Sequence, residues 1–226
     1  MPPEHLRRRG SLPITSVAWS VADIARTTRL PHALVVADAV APQGTDVAGS
    51  VAHMARWAGA ARARWVIGHM DPAIETPLET LGRFGFLEFD FPLPVVNAWV
   101  GHGGPEYRVD GLLPWHWFVY EGDGARKYSG PDSPRVIRKQ NDREFRLRRL
   151  GLDFVRYDWS DVYPSREPFI TKVRAMFSDH PRRDEPVKWW KNVPGVGAVE
   201  PSREDWPSPY PARIILPAGW HTDLAT

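Results

Sequence analysis

Cysteine is absent from this chain of 226 residues. That absence excludes disulfide bonds, thiolate nucleophiles and cysteine-based zinc sites, and it is ordinary for a protein of a reducing compartment. A metal site in this chain must therefore use oxygen or histidine ligands.

Long hydrophobic runs are also missing. No apolar segment of the sequence approaches the roughly 20 residues that a membrane-spanning helix requires. The first nine residues contain prolines and arginines and lack the apolar core of a secretory signal peptide. We expect no membrane span and a cytoplasmic location.

The net charge of the chain is only +2, because 27 Asp and Glu residues nearly balance its 29 Lys and Arg residues. The basic residues are unevenly placed, with three arginines at positions 7–9 and a second cluster at positions 135–149. Local patches of this kind decide attraction to polyanions more than the total charge does. The length fits one core with a tail, or two small domains.

The segment 110–128 carries three acidic residues, Asp110, Glu121 and Asp123. Side chains alternate along a strand, so Glu121 and Asp123 are predicted to share one sheet face. A preceding strand over residues 107–113 carries Asp110, and a hairpin of the two strands would bring three carboxylates together. Such a group favours a proton or a hard cation such as Mg²⁺ or Mn²⁺. The alternative is a Gly-Asp-Gly turn in which the aspartate caps its own backbone.

The segments around these strands show mostly helical spacing. Residues 11–70 are predicted to be helical, and Thr76 with Pro77 predicts a further helix start. Glu79 lies three residues after Thr76, where a capping box has its acidic residue, although its side chain could also point elsewhere. Strands are predicted at 95–100 and 152–157, and a last helix at 168–177.

A strongly basic helix is predicted over residues 135–150. Its apolar stripe includes Arg143, while most of its other arginines lie elsewhere on the helix. Such a basic face is either solvated or contacts nucleic-acid phosphates. Arg138, Lys139 and Arg143 are the candidate phosphate contacts, and Arg143 alternatively braces one of the carboxylates.

Residues 179–226 are rich in proline and tryptophan. Prolines at this density disfavour helices and central strands, so we predict an extended tail. Its tryptophans either pack on the domain or contact a partner or splayed bases.

The ordered set of elements resembles the Vsr-like branch of the PD-(D/E)XK nuclease superfamily over about residues 70–177. The residues that carry the resemblance are Asp71–Glu79, Val109-Asp110, Tyr120–Tyr128, Asp142-Arg143 and Leu150–Arg156. It implies an α/β fold, with a restriction-endonuclease-like mixed sheet flanked by helices and preceded by a small all-helical segment. The implied limits are a helical accessory segment at 1–70, a nuclease-like domain at 71–178 and the tail at 179–226.

Residues 12–16 and 21–26 resemble the helical segment that precedes this module in actinobacterial type IV abortive-infection antitoxins. Those proteins usually begin with a winged helix-turn-helix domain. We expect this chain to lack that domain.

The resemblance implies a DNA endonuclease that depends on Mg²⁺ or Mn²⁺. Asp110 and Glu121 would hold the metal, and Glu79 would complete its ligand shell. Asp123 would orient a water molecule or a second ion, and Lys127 would stabilise the phosphate in the transition state.

The alternative function is a non-catalytic DNA-binding or antitoxin-like regulator that retains the nuclease fold. It is motivated by Asp123, which stands where the superfamily usually has a lysine. The expected partners are DNA and either a second copy of the chain or a cognate toxin-like protein.

Overall fold

The computed structural model describes residues 1–124 and 133–224, with only the backbone described at 133–137 and 139. The chain forms two compact units. One unit contains Met1–Thr76 and Ile215–Thr226, and the other contains Pro77–Ile214. These limits differ from the predicted ones, because the predicted tail is divided between the two units.

The first unit is helical, as expected, but it begins with a β-hairpin that the sequence pattern did not predict. Its elements are β1 (Leu6–Arg9), β2 (Leu12–Thr15), α1 (Val17–Thr27), α2 (Leu30–Val40), α3 (Val47–His53) and α4 (Ala60–His69), with short 3-10 turns at Pro3–His5 and Ala41–Gln43. The two strands lack an alternation of apolar and polar residues, which removes the usual strand signal. Ser16 caps α1 through its Oγ, which accepts a hydrogen bond from the Trp19 amide at 3.2 Å.

The last residues of the chain belong to this first unit. The Leu30 amide donates to the Trp220 carbonyl at 2.9 Å, and the Leu224 amide donates to the Thr27 carbonyl at 2.7 Å. Arg62 is buried and donates to the backbone carbonyls of Thr222 and Gly219. A buried guanidinium requires acceptors of this kind, so the segment has a structural role that its composition did not reveal.

The second unit is a mixed six-stranded sheet with helices packed against it. Its elements are α5 (Pro77–Glu88), β3 (Val95–Val100), β4 (Tyr107–Leu113), β5 (Phe118–Gly122), α6 (Ser133–Arg149), β6 (Asp153–Tyr157), α7 (Trp159–Val162), α8 (Glu167–Asp179), β7 (Trp189–Val193) and β8 (Gly197–Val199), followed by a 3-10 turn at Arg203–Asp205. The strand order is β6-β5-β4-β3-β7-β8. Only β5 and β6 pair in parallel among the described neighbours. The predicted fold class is therefore confirmed.

Strand β7 shows that the predicted tail is partly a component of the sheet. Trp189 and Trp190 pair with Val100 and Trp99 of β3. Both tail tryptophans are buried, so the interpretation that tryptophans of the tail pack on the domain is confirmed for this pair. Residues 187–193 contain no proline, since the nearest ones are Pro186 and Pro194, which leaves the backbone amides of this short stretch able to pair.

The two faces of β5 point into different surroundings. Tyr120 packs against Phe86 of α5 and Phe169 of α8, with ring centroids 5.1 and 5.9 Å away. Glu121, the next residue, points to the opposite face, where α6 lies. The sheet thus separates an aromatic core from a polar site.

Gly111 is the cross-strand partner of Tyr120. A Cβ at this position would lie 2.0 Å from the Tyr120 ring. We expect Gly111→Ala to lower the free energy of unfolding by about 2 kcal/mol, because the buried ring cannot move without disturbing its neighbours. Urea unfolding tests this prediction, with Gly103→Ala as the control, since nothing lies within 4 Å of a Cβ there. Equal stability of the two variants would contradict it.

No helix in the described ranges combines the length and hydropathy needed to span a bilayer.

Candidate functional site

The predicted hairpin forms and brings two of the predicted carboxylates onto neighbouring strands. Gly111 of β4 pairs with Tyr120 of β5, and continuing this register by one residue places Asp110 opposite Glu121. Asp110 Oδ2 accepts a hydrogen bond from the Gly122 amide at 2.8 Å. On the other side of β5, Glu121 pairs with Arg156 of the parallel strand β6.

Glu121 is buried and forms a bidentate ion pair with Arg143 of α6. The Arg143 guanidinium donates to Glu121 Oε2 at 2.8 Å and to Oε1 at 2.7 Å. It also donates to the Arg108 carbonyl. Two parallel charge-assisted hydrogen bonds fix both partners. The alternative prediction for Arg143, that it contacts one of the carboxylates, is therefore confirmed.

Burial raises the pKa of the Glu121 carboxyl. The Arg143 guanidinium opposes this rise, and the neighbouring Asp110 carboxylate adds to it. The net pKa is above the ordinary value of 4.5, because loss of hydration outweighs the favourable ion pair.

Asp123 continues the polar row at the end of β5. Its carboxylate accepts hydrogen bonds from Arg156 at 3.1 and 3.3 Å. Its amide donates to the Tyr157 carbonyl at 2.7 Å, which extends the pairing of β5 with β6. Burial lowers the pKa of Arg156, but its contacts with Glu144 and Asp123 raise it above the ordinary value.

Glu79 of α5 contacts strand β3. Its Oε2 accepts a hydrogen bond from Asn97 Nδ2 at 2.8 Å, and both residues are buried. Tyr157 has a pKa well above its ordinary value, mainly through burial, with further contributions from Tyr120 and from the carboxylates of Asp110, Glu79 and Glu121. The three predicted metal ligands thus all contribute to raising the pKa of the Tyr157 hydroxyl.

The chemistry of the donors allows a test of the predicted magnesium site. Mg²⁺ keeps several water ligands and is commonly held by one or two carboxylates, so the oxygen pair of Asp110 and Glu121 suits it. Among the described residues, Glu79 does not form with this pair a group whose ligand atoms all lie within 4.8 Å of one another. The fit is therefore to a two-carboxylate site, in which an ion would compete with Arg143 for Glu121.

No family model matches this chain. Two uncharacterised proteins, from two strains of Mycobacterium tuberculosis, are each 27% identical to it over 169 residues. The match covers 73% of this chain, and the chain spans 60% of the length of these relatives. No solved structure matches.

The basic helix α6 has one face in contact with the sheet and one in solvent. Leu147 is buried and Arg143 contacts Glu121, whereas Arg138 is exposed. Arg149 follows Arg138 by 11 residues, close to three helical turns, so both lie on the same exposed face about 16 Å apart. The side chain of Lys139, and all of Lys127, lie outside the described residues.

An open cleft of about 620 Å³ lies beside the exposed face of α6. Its lining residues include Phe145, Arg146, Arg149 and Tyr107. The Phe145 side chain is exposed, and Arg146 contacts the Tyr107 hydroxyl at 3.4 Å. Exposed guanidinium groups beside an exposed aromatic ring have the chemistry that binds phosphates and stacks on bases.

Several residues of this site were missing from the sequence-based candidates. Arg156 lies in a segment that carries the resemblance but had no predicted role, and Asn97 belongs to no motif. The roles of both depend on contacts with other elements. Arg146 and Arg149 are visible as members of the basic helix, and helical periodicity relative to the buried Leu147 is the signal that separates them from Arg143.

Proposed function

We propose that this chain is a metal-dependent DNA endonuclease-like protein that hydrolyses phosphodiester bonds. The observation that carries this proposal is the pair of Asp110 and Glu121 on neighbouring strands, next to the basic helix α6. The buried Glu121 carboxylate beside the half-buried Asp110 carboxylate is costly without a compensating cation, and active sites commonly accept such a cost.

In this proposal, the chain's own residues set the charge of the site. Arg143 favours the ionised form of the Glu121 carboxylate, against the rise in its pKa that burial causes, and fixes its orientation. Arg156 places Asp123 at the end of β5. When bound by Asp110 and Glu121, Mg²⁺ or Mn²⁺ would supply Lewis-acid stabilisation of the phosphate.

A second candidate function is a non-catalytic DNA-binding or antitoxin-like regulator with the same fold. The observation that favours it is the bidentate contact of Arg143 with Glu121. A guanidinium already neutralises this carboxylate, so the site satisfies its charge without a metal. In both functions, we place the protein in the cytoplasm with DNA as its partner, and with a second copy or a toxin-like protein as a further possible partner.

The exposed face of α6 is expected to contact DNA phosphates in both functions. Binding of a short DNA duplex should weaken linearly with the logarithm of salt concentration. Replacing Arg138 and Arg149 together by glutamine should reduce that slope by about two, since each phosphate contact contributes about 0.9. Fluorescence anisotropy at several salt concentrations measures the slope.

Arg148→Gln is the matched control for this experiment. Arg148 lies on the same helix, but it is paired with Glu144 at 3.0 Å and with Asp153 at 2.5 Å. Its replacement should leave the salt slope unchanged. An unchanged slope in the double variant would remove α6 from the DNA interface.

The experiment that tests the proposed function is cleavage of supercoiled plasmid and of single-stranded DNA in Mg²⁺ or Mn²⁺. Metal-dependent cleavage that requires Asp110 and Glu121 would support the endonuclease. Absence of cleavage, together with salt-dependent DNA binding that neither residue affects, would support the regulator. Absence of both activities would contradict both functions.

A further inference from the structure

Two histidines and a glutamate lie together in the first unit, on segments that are distant in the sequence. Glu4 and His5 belong to the 3-10 turn at Pro3–His5, and His53 is the last residue of α3. One ligand atom from each of these residues lies within 4.8 Å of the other two. Among residues 1–124 and 133–224, this is the one such group of three.

Binding of a metal ion would require little movement of these three side chains. His53 Nε2 lies 3.9 Å from Glu4 Oε1, and the ring centroids of His5 and His53 are 6.0 Å apart. Zinc binds nitrogen and carboxylate oxygen at about 2.0–2.2 Å, so two ligand atoms on a tetrahedral ion are roughly 3.3 Å apart. Small rotations of the exposed Glu4 and His53 side chains would reach that separation.

His5 is held in position before any ion binds. Its Nδ1 is hydrogen bonded to Ser16 Oγ at 2.9 Å, and its ring lies 5.0 Å from the Trp19 ring. Its backbone carbonyl accepts a hydrogen bond from the Ser16 amide at 2.7 Å. A histidine ligand usually has its second nitrogen bonded in this way, which orients the ring and leaves the other nitrogen for the metal.

We propose that Glu4, His5 and His53 form a binding site for a divalent transition-metal ion such as Zn²⁺. Two imidazoles and one carboxylate suit zinc, cobalt or nickel, whereas Mg²⁺ prefers oxygen ligands alone. Three protein ligands leave one tetrahedral position to water, as in open zinc sites. This site is independent of Asp110 and Glu121, which belong to the second unit.

The bound ion would join the N-terminal turn to α3. The hairpin that follows this turn has every residue of β1 and β2 exposed, so apolar burial contributes little to holding it. A metal that links Glu4 and His5 to His53 would restrain the start of this hairpin, which carries the three arginines at positions 7–9.

Isothermal titration calorimetry of the full chain with ZnCl₂, in excess Mg²⁺, tests this site. We expect one Zn²⁺ per chain, and we expect His53→Ala and His5→Ala each to weaken binding by at least about 100-fold, since even loss of an outer-shell partner costs 10- to 100-fold. Glu4→Gln should weaken it less than either histidine substitution, because an amide oxygen can still coordinate. Co²⁺ in place of Zn²⁺ should give visible absorption bands that require both histidines.

His102→Ala is the matched control, because His102 is an exposed histidine of the second unit. It should bind Zn²⁺ like the native chain. His53 is also exposed, so its replacement should leave the far-UV circular dichroism and the midpoint of urea unfolding unchanged. Failure of the native chain to bind Zn²⁺ stoichiometrically, or equal binding by folded His53→Ala, would overturn the proposal.

Discussion

Asp110→Asn and Glu121→Gln are each expected to reduce Mg²⁺-dependent plasmid cleavage by about a thousandfold. Each substitution keeps the shape of the side chain but removes a negative oxygen ligand. Loss of the metal's transition-state stabilisation should cost several kcal/mol, and about 4 kcal/mol corresponds to a thousandfold. The initial rate of conversion of supercoiled to nicked plasmid is the measurement.

Glu185→Gln is the control for this prediction, because Glu185 is an exposed carboxylate of the same unit. It should cleave at the native rate. All variants should bind DNA with the native salt slope, since neither Asp110 nor Glu121 lies on the exposed face of α6. Cleavage that persists in both site variants would indicate that another group, or a contaminating nuclease, is responsible.

Arg143→Met is expected to lower the free energy of unfolding by about 3 kcal/mol at pH 7.5. The substitution keeps an apolar stem but leaves Glu121 buried with no cationic partner at Arg143's position. Breaking a buried ion pair from one side costs about 3–5 kcal/mol. We take the lower end, because 31% of the Arg143 side chain is exposed and solvent screens the pair.

The pH dependence of this loss has a defined sign. The pKa of Glu121 in the folded chain is already above its ordinary value of 4.5. A group of this kind contributes stability below its unfolded pKa and loses it as the pH rises through its folded pKa. Removing Arg143 raises the folded pKa further. The difference between native chain and variant should therefore be large at pH 8 and should shrink as the pH falls toward 4.5.

Two further variants isolate the ion pair from other effects of the substitution. Adding Glu121→Gln to Arg143→Met should recover part of the lost stability at pH 7.5, because no ionised carboxylate then remains at that position. Arg148→Met, on the same helix, should cost at most about 1 kcal/mol, since its ion pairs are partly exposed. A pH-independent loss in Arg143→Met equal to that of Arg148→Met would contradict the ion-pair account.

Much of the fold could be predicted because local patterns decide local structure. The strands 95–100 and 107–113 have the limits that alternation and the flanking glycines and prolines indicate. The helix starting at Pro77 follows from its proline. The pairing of Asp110 with Glu121 follows as well, because two adjacent strands with a short connection form a hairpin.

The proline-rich C-terminal segment shows where such patterns fail. Composition predicted an extended tail after residue 178, yet Trp189–Val193 pairs with β3 and Asp223 contacts Arg29 at 3.1 Å. Strand pairing and docking over such sequence distances depend on which edges and acceptors the rest of the chain leaves available. Composition within the segment carries no information about them.

By itself, the sequence determined most of the helical segments, the strands β3 to β6, the mixed α/β class and the positions of the acidic pair and basic helix. Only the tertiary structure decided that Arg143 faces Glu121 instead of solvent, and that His53 meets Glu4 and His5. The physical reason is that periodicity assigns a side chain to a face of its own element. Which charge or ligand stands opposite depends on long-range packing, and that partner determines whether a carboxylate is neutralised, a phosphate is bound or a metal is held.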